Sequence, residues 1–175
     1  DYAQWGQSVV LLIIDGSVGC TGTLINNTDN DGKPYLLTAS HCLNKQFTMK
    51  NPDYEKIAGS IVCFFNFNSP FCDPILRGTE EMSTASTYFK AVNEMADMAL
   101  LELTATPPVY YRPYYAGWNA QEVGPAPYTC IQHPQYSVKR ISISDEDLAP
   151  FTLTDPNMIF YENAHLHVKT WEVGY

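Results

Sequence analysis

No aliphatic run in this chain is longer than Val9–Ile14, and turn residues stand between nearly all of its short apolar stretches. That punctuation constrains the fold more than any other feature. A run of six residues is too short for the roughly 20 that span a bilayer as a helix. It suits a buried strand, and it ends at Asp15-Gly16, a pair suited to the tight hairpin turn. Residues 20–25 and Tyr35–Thr38 read as two more strands, joined by the Asn-, Asp- and Gly-rich loop 26–32. Residues 60–67, 84–92 and Met98–Leu103 follow, then Thr106-Pro107-Pro108 interrupts the pattern. Beyond it Tyr128–Gln132 and residues 139–144 and 166–171 are strand candidates, and residues 39–43 suit a single helical turn. Many short strands with turns between them predict an all-β sandwich or barrel. The Pro- and Tyr-rich stretch 104–113 divides them into two unequal parts. The expected organisation is an N-terminal β-barrel over residues 1–104, then a linker and the first part of a second barrel over 105–175.

Charge and cysteine usage narrow the function. Nineteen Asp and Glu against ten Lys and Arg give a formal charge of −9, which disfavours a nucleic-acid partner, and no stretch is long and apolar enough to cross a membrane as a helix. Five cysteines occur without a Cys-x-x-Cys pair, so zinc-ribbon and thioredoxin-type chemistry lack their ligands. Few lysines, many Tyr and Thr, and scattered cysteines suggest a secreted or periplasmic, oxidised protein. An odd cysteine count leaves one thiol free or paired with a partner elsewhere.

Two residues stand out as acid–base candidates. His41 lies in Thr38-Ala39-Ser40-His41-Cys42, directly after an apolar strand, and Asp97 opens Asp97-Met98-Ala99-Leu100-Leu101. A histidine can take and return a proton near neutral pH, and an aspartate on its second ring nitrogen fixes the tautomer. Taken singly, each also fits a turn, cap or surface role. Three other constellations compete. His165 and His167, or Cys130 and His133, have ligand-like spacings, but no further cluster completes a tetrahedral metal site. Asn27-x-Asp29-x-Asp31-Gly32 opens like a calcium loop, yet Thr38 stands where a bidentate Glu is required, so a hairpin turn is favoured. Tyr110, Tyr111, Tyr114 and Tyr115 could form a carbohydrate platform or pack between barrels.

The segments Cys20-Thr21-Gly22-Thr23-Leu24-Ile25, Thr38-Ala39-Ser40-His41-Cys42 and Asp97-Met98-Ala99-Leu100-Leu101, in that order, resemble the trypsin/chymotrypsin-like serine endopeptidases. Ser60-Ile61-Val62, Tyr115-Ala116-Gly117-Trp118 and His133-Pro134-Gln135, followed by Lys139-Arg140-Ile141-Ser142, resemble the bacterial lysyl endopeptidase branch. The resemblance covers nearly the whole chain and implies a chymotrypsin-like double β-barrel, the first complete and the second partly contained. It also implies His41 as general base, Asp97 as its orienting carboxylate, a Cys20–Cys42 disulfide around the histidine, and Trp171 near the substrate pocket. The implied chemistry is peptide hydrolysis through an acyl-enzyme, with lysine as the implied preference, on a polypeptide substrate and with no cofactor or metal.

One element of the family pattern departs. The nucleophile of this family lies in Gly-x-Ser-Gly, and no such segment occurs; Gly6-Gln7-Ser8-Val9 is the nearest approach, at the wrong end. The expectation is that Gly174-Tyr175 leads toward the serine, carried by a companion chain or separate segment, and that this chain alone is inactive. The alternative is a catalytically dead, protease-like interaction protein. Pairings of Cys63, Cys72 and Cys130 stay open, with Cys63–Cys72 across a hairpin conceivable and Cys130 either a buried thiol or a bridge to another piece.

Overall fold

The computed structural model describes residues 2–70, 78–121 and 124–174. A short helix α1 (Tyr2–Gly6) leads into β1 (Val9–Ile14), β2 (Val18–Ile25) and β3 (Tyr35–Thr38). Helices α2 (Ser40–Leu43) and α3 (Tyr54–Gly59) follow, then β4 (Val62–Phe64), β5 (Ser83–Ala85), β6 (Thr87–Asn93) and β7 (Met98–Leu103). These seven strands form one sheet in the order β5-β4-β1-β2-β3-β7-β6, antiparallel at every pairing.

The two edge strands are consecutive in sequence. Residues 84–92 read as one strand, but Ser86 takes φ 69° and divides the run into β5 and β6. Because only Ser86 separates them, the sheet must curl until its edges adjoin. Thr87 Oγ1 fastens this corner by donating to the carbonyl of Ala58, and the Ser86 N–H donates to the carbonyl of Ile61. Seven strands therefore occupy a curl for which six were expected.

Burial explains why β1 lacks the polar/apolar alternation of a one-sided strand. Val10, Leu12 and Ile14 face the main core with Leu24, Leu36, Ala58, Ile61, Phe65 and Leu101. Leu11 turns the other way, onto Phe67 and Val138. A strand covered on both faces reads as an unbroken apolar run. Each fully buried Leu or Ile contributes about 1.5–3 kcal/mol of transfer free energy, so β1 is the principal apolar seam of the chain.

The remaining strands are β8 (Tyr128–Gln132), β9 (Arg140–Ser144), β10 (Ala149–Phe151), β11 (His165–His167) and β12 (Glu172–Gly174). They form a three-stranded sheet β12-β9-β8 and a separate hairpin β10-β11. Strand 166–171 is a correction: β11 ends at His167 and β12 begins at Glu172, leaving Val168 to Trp171 between them. Two points of close approach join the parts. The Tyr136 ring lies where a Cβ on Gly19 would sit, 1.8 Å away, so only glycine fits there. The N–H of His133 donates to Thr21 Oγ1 at 2.9 Å, tying the end of β8 to β2.

Lys139 sits on this seam, its ammonium donating to the carbonyl of Gly6 at the end of α1. Burial pulls its pKa down to about 8 from 10.5. Between those values the unfolded chain binds the proton more strongly than the folded one, so this residue's contribution to stability rises with pH from 8 to 10.5. Lys139→Met is expected to stabilise the protein by on the order of 2–3 kcal/mol below pH 8, with the advantage fading toward pH 10.5. Urea midpoints of parent and variant, compared at pH 7 and pH 10.5, check this. The difference isolates Lys139 from Cys63, whose buried thiol is pushed up to about 12 and opposes the trend above pH 9.

Candidate active site

The candidate site is built on two short turns brought together by the pairing of β3 with β7. In that ladder Thr38 is opposite Ala99 and Leu37 opposite Leu100, so the residues just after β3 meet those just before β7. His41 lies in α2, one turn beyond β3, and Asp97 closes the 3-10 turn of residues 94–96 ahead of β7. Asp97 adopts left-handed backbone, φ 51° and ψ 46°, a conformation Asp and Asn tolerate better than other residues with a Cβ. This turns its carboxylate back toward α2.

Three hydrogen bonds fix that carboxylate. Oδ2 accepts from His41 Nδ1 at 2.7 Å, and Oδ1 accepts from the His41 backbone N–H at 2.9 Å and from Ser40 Oγ at 3.0 Å. Ser40 is fully buried, whereas the His41 side chain is 52% exposed and that of Asp97 is 13% exposed. With the proton on Nδ1 facing Asp97, Nε2 is the basic nitrogen of the neutral ring.

The electrostatics follow. The hydrogen bond to Asp97 raises the pKa of His41 above its usual value, against a smaller opposing effect of burial. For Asp97 burial is the largest influence and acts upward, but the bonds from the His41 ring, the His41 backbone and Ser40 together hold the carboxyl below its ordinary value. The pair is therefore a base of enhanced strength beside a carboxylate that stays ionised.

Cys20 and Cys42 form a disulfide with a Cα–Cα distance of 6.2 Å, tying β2 to the residue after His41. Closing a loop of this length contributes about 3 kcal/mol in the chain-entropy view. Cys63 is a buried free thiol, and Cys72, the partner conceivable for it from the sequence, lies outside the described residues. Cys130 is a half-buried free thiol.

Other sequence candidates are dispersed. Trp171 is 37% exposed between β11 and β12, and no hydrogen bond or ring contact joins it to His41 or Asp97. His165 bonds the carbonyl of Ala96, His167 packs on Phe151, and buried His133 bonds the carbonyl of Ser137, its pKa lowered to about 4 by burial. Among the described residues the one cluster of three potential ligand side chains is Cys20, His41 and Cys42, and both its sulfurs are committed to the disulfide. Asp31 is engaged by Lys33 and Asn27 within the 26–32 turn. The tyrosines divide: Tyr111 is buried against Phe65, while Tyr110 stands 68% exposed.

Residues that the sequence did not reveal surround the pair. The Tyr161 N–H donates to the carbonyl of Met95, Phe160 packs edge-on against Phe47 and His165, and Asn157 donates to the carbonyl of Gln46. The segment between β10 and β11 thus lies against the turns following His41 and preceding Asp97.

The chain as a whole is similar to known proteins. A curated relative, the lysyl endopeptidase of Pseudomonas aeruginosa, is 27% identical over 129 residues, covering 73% of this chain and 26% of its own length. The chain thus spans about a quarter of that relative. The crystal structure of the Rv3671c protease in an inactive form superposes with a TM-score of 0.51 at 12% identity, covering 89% of this chain and 59% of that one. This likeness establishes an all-β, chymotrypsin-like fold, with one curled seven-stranded sheet and part of a second barrel. The family described as lysyl endopeptidase, C-terminal domain, matches residues 1–175, so a histidine and an aspartate meeting across two strand ends occur here in a chain that belongs to the lysyl endopeptidase family.

Proposed function

We propose that this chain supplies the general base and the orienting carboxylate of a secreted serine endopeptidase that cleaves after lysine. The observation that carries the reading is the 2.7 Å bond from His41 Nδ1 to Asp97 Oδ2, with Nε2 left as the basic nitrogen of a half-exposed ring. Family membership and the lysyl endopeptidase relative support the substrate class, and the Cys20–Cys42 disulfide supports export.

In this reading the serine comes from a Gly-x-Ser-Gly segment outside these 175 residues, on the same polypeptide or a companion chain. His41 Nε2 takes the hydroxyl proton as the serine oxygen attacks the scissile carbonyl. It returns that proton to the leaving amine, which departs as the acyl-enzyme forms. Water then attacks the ester, giving its proton to Nε2, and the serine recovers one as the acid product leaves. Asp97 holds the ring and stabilises the imidazolium, and Trp171 lines the approach of the substrate. Without the serine segment and its oxyanion-hole donors, residues 1–175 are inactive.

A fluorophosphonate probe added to the full-length protein tests the reading. It is expected to label a serine in a Gly-x-Ser-Gly segment, and a blocked lysyl ester is expected to be hydrolysed in preference to the arginyl and alanyl esters. Absence of both label and hydrolysis would favour a protease-shaped interaction protein instead.

A further inference from the structure

A second contact links the two turns of the site, and the exchange of protons described above does not use it. Asn44 lies three residues after His41, and Glu94 three residues before Asp97. The Asn44 side chain is 2% exposed, and its Nδ2 donates to Glu94 Oε1 at 2.9 Å and to the carbonyl of Met49 at 3.2 Å. Its Oδ1 accepts from the Met49 N–H at 3.0 Å, while its backbone N–H donates to the carbonyl of Ser40. Every strong polar group of this amide is engaged, and the amide sits at the end of the helical turn that carries His41.

Glu94 is bound equally firmly. Its Oε1 also accepts from the Tyr54 hydroxyl, and Tyr54 is clamped by stacking on Phe89 of β6 with ring centroids 5.2 Å apart. The carbonyl of Glu94 accepts from the Asp97 N–H at 3.0 Å, closing the turn that places Asp97 in left-handed backbone. Shifting Glu94 therefore shifts the origin of the Asp97 side chain. The two turns are held at two points, by His41 to Asp97 at one end and by Asn44 to Glu94 at the other.

We propose that Glu94 is a positioning residue for the His41–Asp97 pair, acting through Asn44 and anchored by Tyr54. The proposal rests on reading that pair as base and orienting carboxylate. Buried amides bonded to a charged carboxylate resist loss of register more than neutral contacts do, because an unpaired partner would stay desolvated. The three bonds to the Asp97 carboxylate all come from Ser40 and His41, so by themselves they join the two turns at one point and leave them free to pivot about it. A second bond three residues away on each side removes that freedom.

The test uses the full-length protein and reads both the His41 imidazole titration by NMR, assigned with His41→Ala, and steady-state kinetics on a lysyl ester. Glu94→Ala is expected to lower the His41 titration midpoint and to reduce kcat about tenfold with little change in KM, as misplacement of a base by a fraction of an ångström does. Glu94→Gln keeps an oxygen for Asn44 and Tyr54 and is expected to restore both readouts nearly to parental values. Tyr54→Phe removes one of the two side-chain donors without emptying the site, and is expected to shift both in the same direction by less; it serves if Glu94→Ala fails to fold. A parental His41 titration and parental kcat in a folded Glu94→Ala, or in Tyr54→Phe, would overturn the proposal. Full activity in His41→Ala would instead overturn the reading of the pair, and the coupling of Glu94 to the imidazole would still be visible in the NMR titration.

Discussion

Replacing His41 with alanine is expected to lower kcat on a lysyl substrate by about 10⁴–10⁶-fold in the full-length protein, with KM changed far less. The asymmetry follows from the place of the imidazole in the site. In the proposed mechanism its Nε2 interacts with a proton that moves only as the serine attacks, so its loss would remove transition-state stabilisation rather than ground-state binding. The fold is expected to survive, because the side chain is half exposed and the backbone N–H that bonds Asp97 Oδ1 remains in the variant. Asp97 then loses its ring partner but keeps two of its three donors. Steady-state kinetics with urea midpoints as the folding control check the prediction. A folded variant within tenfold of the parent would remove His41 from the chemistry.

Much of this arrangement is legible in the amino-acid sequence. His41 and Asp97 sit at the end of one apolar strand and the mouth of another, and pairing those strands brings the two residues together although 56 positions separate them. The boundaries of β1, β3, β7 and β8 matched their apolar runs. What escaped notice was set by backbone and tertiary effects. Ser86 divides a run whose Thr, Tyr, Phe and Val side chains favour a strand, through a backbone angle that leaves no mark in composition. Helix α3 is six residues long, too short for a hydrophobic period, though its cap was readable: Asp53 accepts from the Lys56 N–H. Trp171 lies beyond the end of β11 rather than within a strand. Asn44 and Glu94 look like ordinary surface residues in sequence; only folding buries the amide and brings the carboxylate to it.

On the proposed mechanism, Asp97→Asn is expected to leave the fold intact while lowering kcat/KM about 10⁴-fold, the size of loss a triad carboxylate-to-amide change produces in serine proteases. The geometry explains why so small a change does so much. One carboxylate oxygen accepts from the His41 N–H and from Ser40 Oγ, so the oxygen of an asparagine amide is drawn to that position. The amide NH₂ then faces Nδ1 at the position of Oδ2 and donates where a carboxylate would accept. The imidazole must answer with a bare Nδ1 and carry its proton on Nε2, the nitrogen that accepts the serine proton in the proposed mechanism. The pH behaviour moves in step. In the parent the His41 pKa is raised, so the pair stabilises the fold fully below 6.5, and this contribution is lost as pH rises through the folded value. The lowered pKa of Asp97 adds stability above 3.8 that is lost as pH falls through its folded value. Asparagine removes both contributions, so the denaturation midpoint should fall most near pH 5 and least well above the His41 folded pKa. The acid limb of kcat/KM should move to lower pH with the imidazole titration. An unshifted imidazole titration, or activity within tenfold of the parent, would show that Asp97 does not set the state of His41.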